Sequence, residues 1–213
     1  MKGLMIKDFR LMFRRKRSFI FILLCGFIVN FSTDAEFFVG WLMLIGSLFA
    51  LSTIAYDEHD NCYPFLMTLP ITRKGYVIEK YLFGMLSGAA FWLIGVVFYA
   101  ITVFLKGSPE YLSEKFLSFL ELLLIPLLHL DFTILINLKY GSEKVRLVMI
   151  IIWGAAFGVA FVVNRLIPGG VRPDAFISSL STTALTVFAI LVAVAFTGLS
   201  VHFSMRIISK KEF

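Results

Sequence analysis

The side chains of this chain best equipped for chemistry fall in two places. Asp57, Glu58, His59 and Asp60 follow one another, and Glu121, His129 and Asp131 lie within a long apolar stretch. Carboxylates beside an imidazole hold a metal or move protons only if they converge. Consecutive residues on one turn point in different directions, so 57–60 makes no ligand set by itself. At 100° per residue, Glu121 and His129 stand about 80° apart and share a broad helix face. Asp131 points elsewhere and is expected to pair with Lys139 or a basic residue of the N-terminal segment. Charges at membrane depth either line a polar path or pair structurally, and both readings stand for these three. The sequence contains no His-Glu-x-x-His, no Gly-x-Ser-x-Gly and no Gly-x4-Gly-Lys-Ser/Thr phosphate cradle. No catalytic residue, metal site or bound cofactor is expected.

An apolar framework must position these residues. Of the 213 residues 59% are hydrophobic, 24 of them Phe, and the mean hydropathy is +0.89. Soluble domains run at about 45–50% apolar, so the excess has to meet lipid. The expected fold is an all-α integral membrane protein in one transmembrane domain, 1–213. It consists of an N-terminal interfacial helix (1–17) and six transmembrane helices, with both termini cytoplasmic. Spans are expected at about 18–33, 37–56, 81–105, 116–137, 147–164 and 176–205, each long enough to cross. These residues leave no room for a sizeable soluble domain, so an ATPase module would sit on another polypeptide.

Charge placement carries the count. Sixteen of the twenty Lys and Arg residues fall on one side if the N-terminus is cytoplasmic and the chain crosses six times. Lys106, Lys115, Arg165 and Arg172 are the exceptions. Five or seven crossings would put the basic tail outside, against the positive-inside bias. The net charge of +6 is thereby assigned to lipid headgroups rather than to nucleic acid. In 1–17, Met5, Phe9, Met12 and Phe13 take one helix face while Lys7, Arg10, Arg14 and Arg17 take the other, the pattern of a helix lying in the headgroup layer. No small-x-small cleavage site follows the first apolar run, which reads as an uncleaved span. Cys25 and Cys62 are too few for a disulfide framework. Gly84 with Gly88, and Gly154 with Gly158, read as packing sites within the bundle. Pro168-Gly169-Gly170 and Pro173 suggest a re-entrant element within 165–175.

The connection 57–80 is unlike an ordinary polar link. Acidic Asp57, Glu58 and Asp60 precede apolar Tyr63, Phe65, Leu66 and Met67, then Thr68-Leu69-Pro70 breaks the chain. Thr72 is placed to cap a new helix, and Arg73, Lys74 and Lys80 lead into the third span. Apolar residues on such a loop meet lipid or a partner. An anionic leaflet would repel the acids, so a soluble partner fits better.

The N-terminal interfacial helix, six spans, and a first cytoplasmic loop with Thr68-Leu69-Pro70-Ile71-Thr72-Arg73-Lys74, Val77, Lys80 and Tyr81 together resemble the permease subunits of small bacterial type-2 ABC exporters. The likeness is to the compact subgroup that includes exporters of antimicrobial and toxin peptides. It implies a bacterial plasma-membrane location and a coupling helix within Asp57–Leu69 seated on a separate ABC ATPase, which carries the ATP and Mg. Asp57, Glu58, Asp60, Tyr63 and Phe65 would belong to that coupling loop, together with Leu66, Leu69, Pro70, Arg73 and Lys80. It also implies a second permease, as a homodimer or with a paralogue. The expected function is export of an amphipathic or hydrophobic substrate, peptides and toxins included. The alternatives are a membrane anchor or sensor recruiting a partner through 57–80, and, more weakly, a membrane enzyme.

Overall fold

The computed structural model describes residues 2–14, 16–32, 35–59, 62–105, 115, 118–166 and 182–210, and within them the chain is helical with no strand. The helices are α1 (Lys2–Arg14), α2 (Lys16–Ser32), α3 (Ala35–His59), α4 (Cys62–Thr68), α5 (Arg73–Leu105), α6 (Leu124–Tyr140), α7 (Ser142–Leu166) and α8 (Thr182–Lys210). Among the described residues four stretches are long and apolar enough to cross a membrane: Phe37–Glu58, Arg73–Leu105, Ser118–Tyr140 and Thr186–Lys210. The protein is therefore multi-pass. Asp60, residues 167–175 of the expected re-entrant stretch, and Lys106, Arg172 and Lys211 lie outside the described residues.

The most extensive helix pair is α3 with α5, followed by α6 with α8. Close approach in the first pair depends on glycine. A Cβ on Gly46 would lie 2.7 Å from the Phe91 Cβ and 2.8 Å from the Ser87 carbonyl oxygen, neither of which can swing away. A Cβ on Gly84 would lie 2.8 Å from Leu130 of α6. Backbone contact of this kind is how small residues join helices where lipid offers no hydrophobic drive between them. Packing within the bundle is thus right for Gly84. Among the described residues it does not hold for Gly154 and Gly158, whose Cβ positions meet nothing within 4 Å.

Two irregularities set the path of α6. Pro126 has no N–H, and it falls in the first turn of α6, where the amides have no intrahelical carbonyl in any case. Just before it, Leu123 N–H turns to Leu120 O (3.2 Å) instead of Phe119 O. The Trp92 indole N–H takes up the released Phe119 carbonyl at 3.0 Å. At the other end, Gly141 adopts φ +87°, a region that favours glycine. Its N–H closes α6 on Asn137 O at 2.8 Å, and α7 starts one residue later.

α1 turns Leu4, Asp8 and Met12 inward, against a core that includes Ala50, Ile54, Tyr76 and Phe83. Met5 and Phe9 pack beside them, but Phe13 is half exposed. The apolar face is therefore centred about one residue away from the Met5–Phe9–Met12–Phe13 stripe, and it contains an acid.

Replacing Gly46 with Ala should destabilise the protein by about 1–3 kcal/mol, the usual cost of overpacking. Gly154→Ala should leave the melting temperature in detergent unchanged, and paired thermal melts check the contrast.

Candidate functional site

The end of the bundle that gathers α1, α4 and the start of α5 holds a buried ionic network. α5 is 33 residues long, about 50 Å, against a hydrocarbon layer of about 30 Å. Its first two turns thus extend past the apolar run and carry charge. The Lys80 ammonium, fully buried, pairs with Asp8 of α1 and lies 3.0 Å from Asp57 of α3. Thr53 Oγ1 accepts a further bond from it at 3.1 Å. Lys7 reaches the other oxygen of Asp57 at 2.5 Å and lies 3.2 Å from Asp8. Two ammonium groups and two carboxylates thereby tie three helices with no net charge. Glu79, also buried, stands 3.8 Å from Lys80, with neither oxygen hydrogen-bonded among the described residues. Buried ions are tolerated only when paired like this, because each pays a desolvation cost that its partners offset.

Helix α4 is held against this network by its inner face. The Tyr76 hydroxyl donates to Asp57 at 3.0 Å and lies 3.5 Å from the Tyr63 hydroxyl, the two rings meeting edge to face at 5.7 Å. Leu66 is buried in the same core. The outer face is bare: Phe65 is 66% and Leu69 40% exposed, and Thr68 and Pro70 are exposed as well. Burial pushes the Tyr63 phenol up to about 12; the bond with Tyr76 works the other way, while the carboxylates of Asp57 and Glu58 add to the rise. Burial also disfavours the Lys7 ammonium, but Asp57 and Asp8 outweigh it and hold Lys7 above its ordinary value.

The expected loop residues thus divide by position. Asp57, Tyr63, Leu66 and Lys80 are buried within the chain. Glu58 accepts the Ser142 N–H at 2.7 Å, a carboxylate at the positive end of α7. Arg73 donates to the Ile208 and Ser209 carbonyls at 3.2 and 3.0 Å, a cation at the negative end of α8. Thr72 caps α5, accepting the Gly75 N–H at 3.0 Å. Phe65, Leu69 and Pro70 are left facing out.

Asp8 and Glu79 were not singled out in the sequence. Asp8 is the only acid in the first 33 residues, and it stands four residues from both Leu4 and Met12. A lone carboxylate on the apolar face of a basic helix is a legible request for a buried cation.

The three acidic and imidazole groups of the fourth apolar run are separated by the fold. Glu121 is exposed. Asp131 is buried and accepts the Thr197 hydroxyl of α8 at 2.5 Å, while the Ser200 hydroxyl donates to the Asp131 carbonyl at 2.8 Å. Among the described residues the ion pair expected with Lys139 or a basic residue of the N-terminal segment does not form; Lys139 lies over the Tyr140 ring, 4.9 Å from its centroid. Two residues along a helix is a rotation of 200°, so His129 faces away from Asp131. It lines a cavity of about 690 Å³ between α3, α6 and α7, with Thr133 and Asn137.

Over residues 3–209 the chain matches the family described as ABC-2 family transporter protein. The chain belongs to this family. No curated protein and no solved structure matches it. An ABC-2 permease is the membrane component of a transporter, and the family works with ABC ATPases. In this permease, the buried ionic network and the bare face of α4 occupy the same end of the bundle.

Removing one member of the network strands its partners. Lys80→Met and Asp8→Asn should each cost about 3–5 kcal/mol. The double variant should cost clearly less than the sum, a coupling that a double-mutant cycle of detergent unfolding measures.

Alkaline pH should also loosen this end of the permease. Tyr63 ionises near 10 when unfolded but at about 12 when folded, so the unfolded state loses its proton first and stability falls as pH rises across that window. Lys7 acts in the same direction, its contribution present below 10.5 and lost as pH passes its raised value. A two-unit shift corresponds to roughly 2–3 kcal/mol. Circular dichroism melts from pH 9 to about 12 should therefore show a shallower decline in Tyr63→Phe than in the unaltered chain.

Proposed function

We propose that this ABC-2 permease is half of the membrane-spanning part of an exporter, and that α4 is the element through which a separate ATPase drives it. In this reading α2 and α7 cross the membrane along with the four long spans, giving six crossings and two cytoplasmic termini. α1 then lies at the inner surface with Ile6 and Phe13 toward lipid. The chain has no phosphate cradle of its own, so ATP and Mg bind to the partner subunit. A second permease, identical or paralogous, completes the pathway in a bacterial plasma membrane, and the cargo is an amphipathic or hydrophobic molecule.

The observation that carries the reading is the two-sidedness of α4. Its outer face offers Phe65 and Leu69, while its inner face is fixed by Tyr63 and Leu66 to residues of α3 and α5. A push on the outer face is not absorbed by a slack loop. It passes through Tyr63, Tyr76 and Asp57 to the ends of two spans whose packing is the closest in the bundle. An anchor that only recruits a partner has no need of such stiffness.

Phe65→Asp should weaken co-purification of the partner ABC ATPase by at least about tenfold, as loss of an interfacial aromatic commonly does. Its exposed position predicts an unchanged melting temperature. Retention of both ATPase and export in Phe65→Asp and Leu69→Asp would overturn the docking role. Failure of the unaltered chain to bind any such ATPase would favour the anchor.

A further inference from the structure

We propose that the cavity between α3, α6 and α7 is a binding site for an amphiphile with an anionic head and an apolar tail. Its volume of about 690 Å³ lies within the roughly 300–1,000 Å³ typical of small-molecule sites. Leu44, Leu48 and Leu51 of α3 form one wall, and Met149, Ile150 and Trp153 of α7 form the other. Between these walls His129, Thr133 and Asn137 line the α6 side. Their spacing of four puts them on one helix face over about 12 Å.

Two features specify the ligand. The first is unmet hydrogen bonding. Asn137 is only 3% exposed, yet its Oδ1 has no partner among the described residues, and His129 Nδ1 is in the same condition. Thr133 is already committed to the carbonyls of His129 and Leu130. Buried polar groups left this way destabilise a fold unless water or a ligand meets them. The second feature is charge. Arg146 stands on the α7 side of the lining, and among the described residues no carboxylate lines the cavity. Glu58, close by, is engaged by Ser142, and Glu143 points to solvent. A lone guanidinium at the mouth of an apolar cleft draws a carboxylate or phosphate head and repels an ammonium. An anionic head answers Arg146, which repels a cationic peptide, while Asn137 Oδ1, itself an acceptor, takes a proton from water or from a hydroxyl of the ligand rather than from the anion.

This narrows the cargo class of the exporter reading and rests on that reading only for the word cargo, since binding itself requires no ATPase. The two sources of the chemistry are a free single-chain acid and an anionic bilayer lipid. The test is quenching of Trp153 fluorescence in the purified full-length chain in nanodiscs, with Trp153→Phe defining the signal against Trp41 and Trp92. The quenchers are dibrominated stearate, phosphatidylglycerol, phosphatidylcholine and stearylamine. Saturable quenching by brominated stearate is expected, with the half-saturating concentration raised about tenfold in Arg146→Gln, the cost of one charge-assisted contact, and restored in Arg146→Lys. Saturation by stearate alone identifies an exchangeable cargo, and saturation by phosphatidylglycerol identifies a resident lipid; either supports the site. Quenching no stronger than by phosphatidylcholine, equal saturation by stearylamine, or indifference to Arg146→Gln would overturn it. ATPase binding through Phe65 is untouched by any of these results.

Discussion

The Lys80 ammonium sits between Asp8 and Asp57 with no exposed surface, and the placement of every element at that end of the bundle follows from it. Asp8 brings α1 across the ends of α3 and α5. Asp57 fixes the last turn of α3 and, through the Tyr76 hydroxyl, the inner face of α4. Lys7 closes the circuit and balances the charge. Replacing such a network by apolar side chains commonly costs nothing in stability, so its value lies in position. An apolar contact would let α1 and α4 slide, whereas an ion pair at hydrogen-bond distance fixes register.

The same logic of fixed helix ends recurs outside the network. Glu58 meets the N-terminus of α7 and Arg73 meets the C-terminus of α8, each carrying the charge that the helix dipole favours. Glu58 lies in the last turn of α3 and Arg73 opens α5. The two helix ends that flank α4 thus contact α1, α7 and α8. α4 is joined to these ends through Tyr63 and Tyr76.

How far the sequence could be read depended on what kind of signal each feature leaves. Apolar length and composition gave the helical, multi-pass character, because lipid imposes that pattern residue by residue. The Thr72 cap was legible for the same reason, being decided within four residues. Asp131 was assigned to Lys139 or a basic residue of the N-terminal segment because helical spacing gives direction but not neighbour, and the Thr197 hydroxyl comes from 66 residues away. Gly154 and Gly158 carry the same motif as Gly84 and Gly88 yet meet nothing within 4 Å among the described residues. A small-residue pair shows where a helix can approach closely, not whether one does. Asp57 and Glu58 read as acids for a partner, and the fold uses both internally, since adjacent carboxylates point to different helices. Asp8 left a usable signal that patterning of the basic face obscured.

Fixing one end of the bundle leaves the freedom of the other elements to be explained. α7 and α8 display Ile151, Phe161, Phe188 and Val194 outward, and among the described residues α7 meets chiefly α6 and α3. The cavity opens along that lightly held side, where α7 rests on Glu58 and on the Gly141 turn. A Cβ at 141 would collide with the Glu58 carboxylate, so the turn and the cap form one joint. A change at the end of α3 therefore alters the seat of α7 first, and α7 supplies one whole wall of the cavity. The contacts between α4 and the cavity run in one series: Tyr63 of α4 beside Tyr76, the Tyr76 hydroxyl on Asp57, Asp57 beside Glu58, and Glu58 on the first amide of α7.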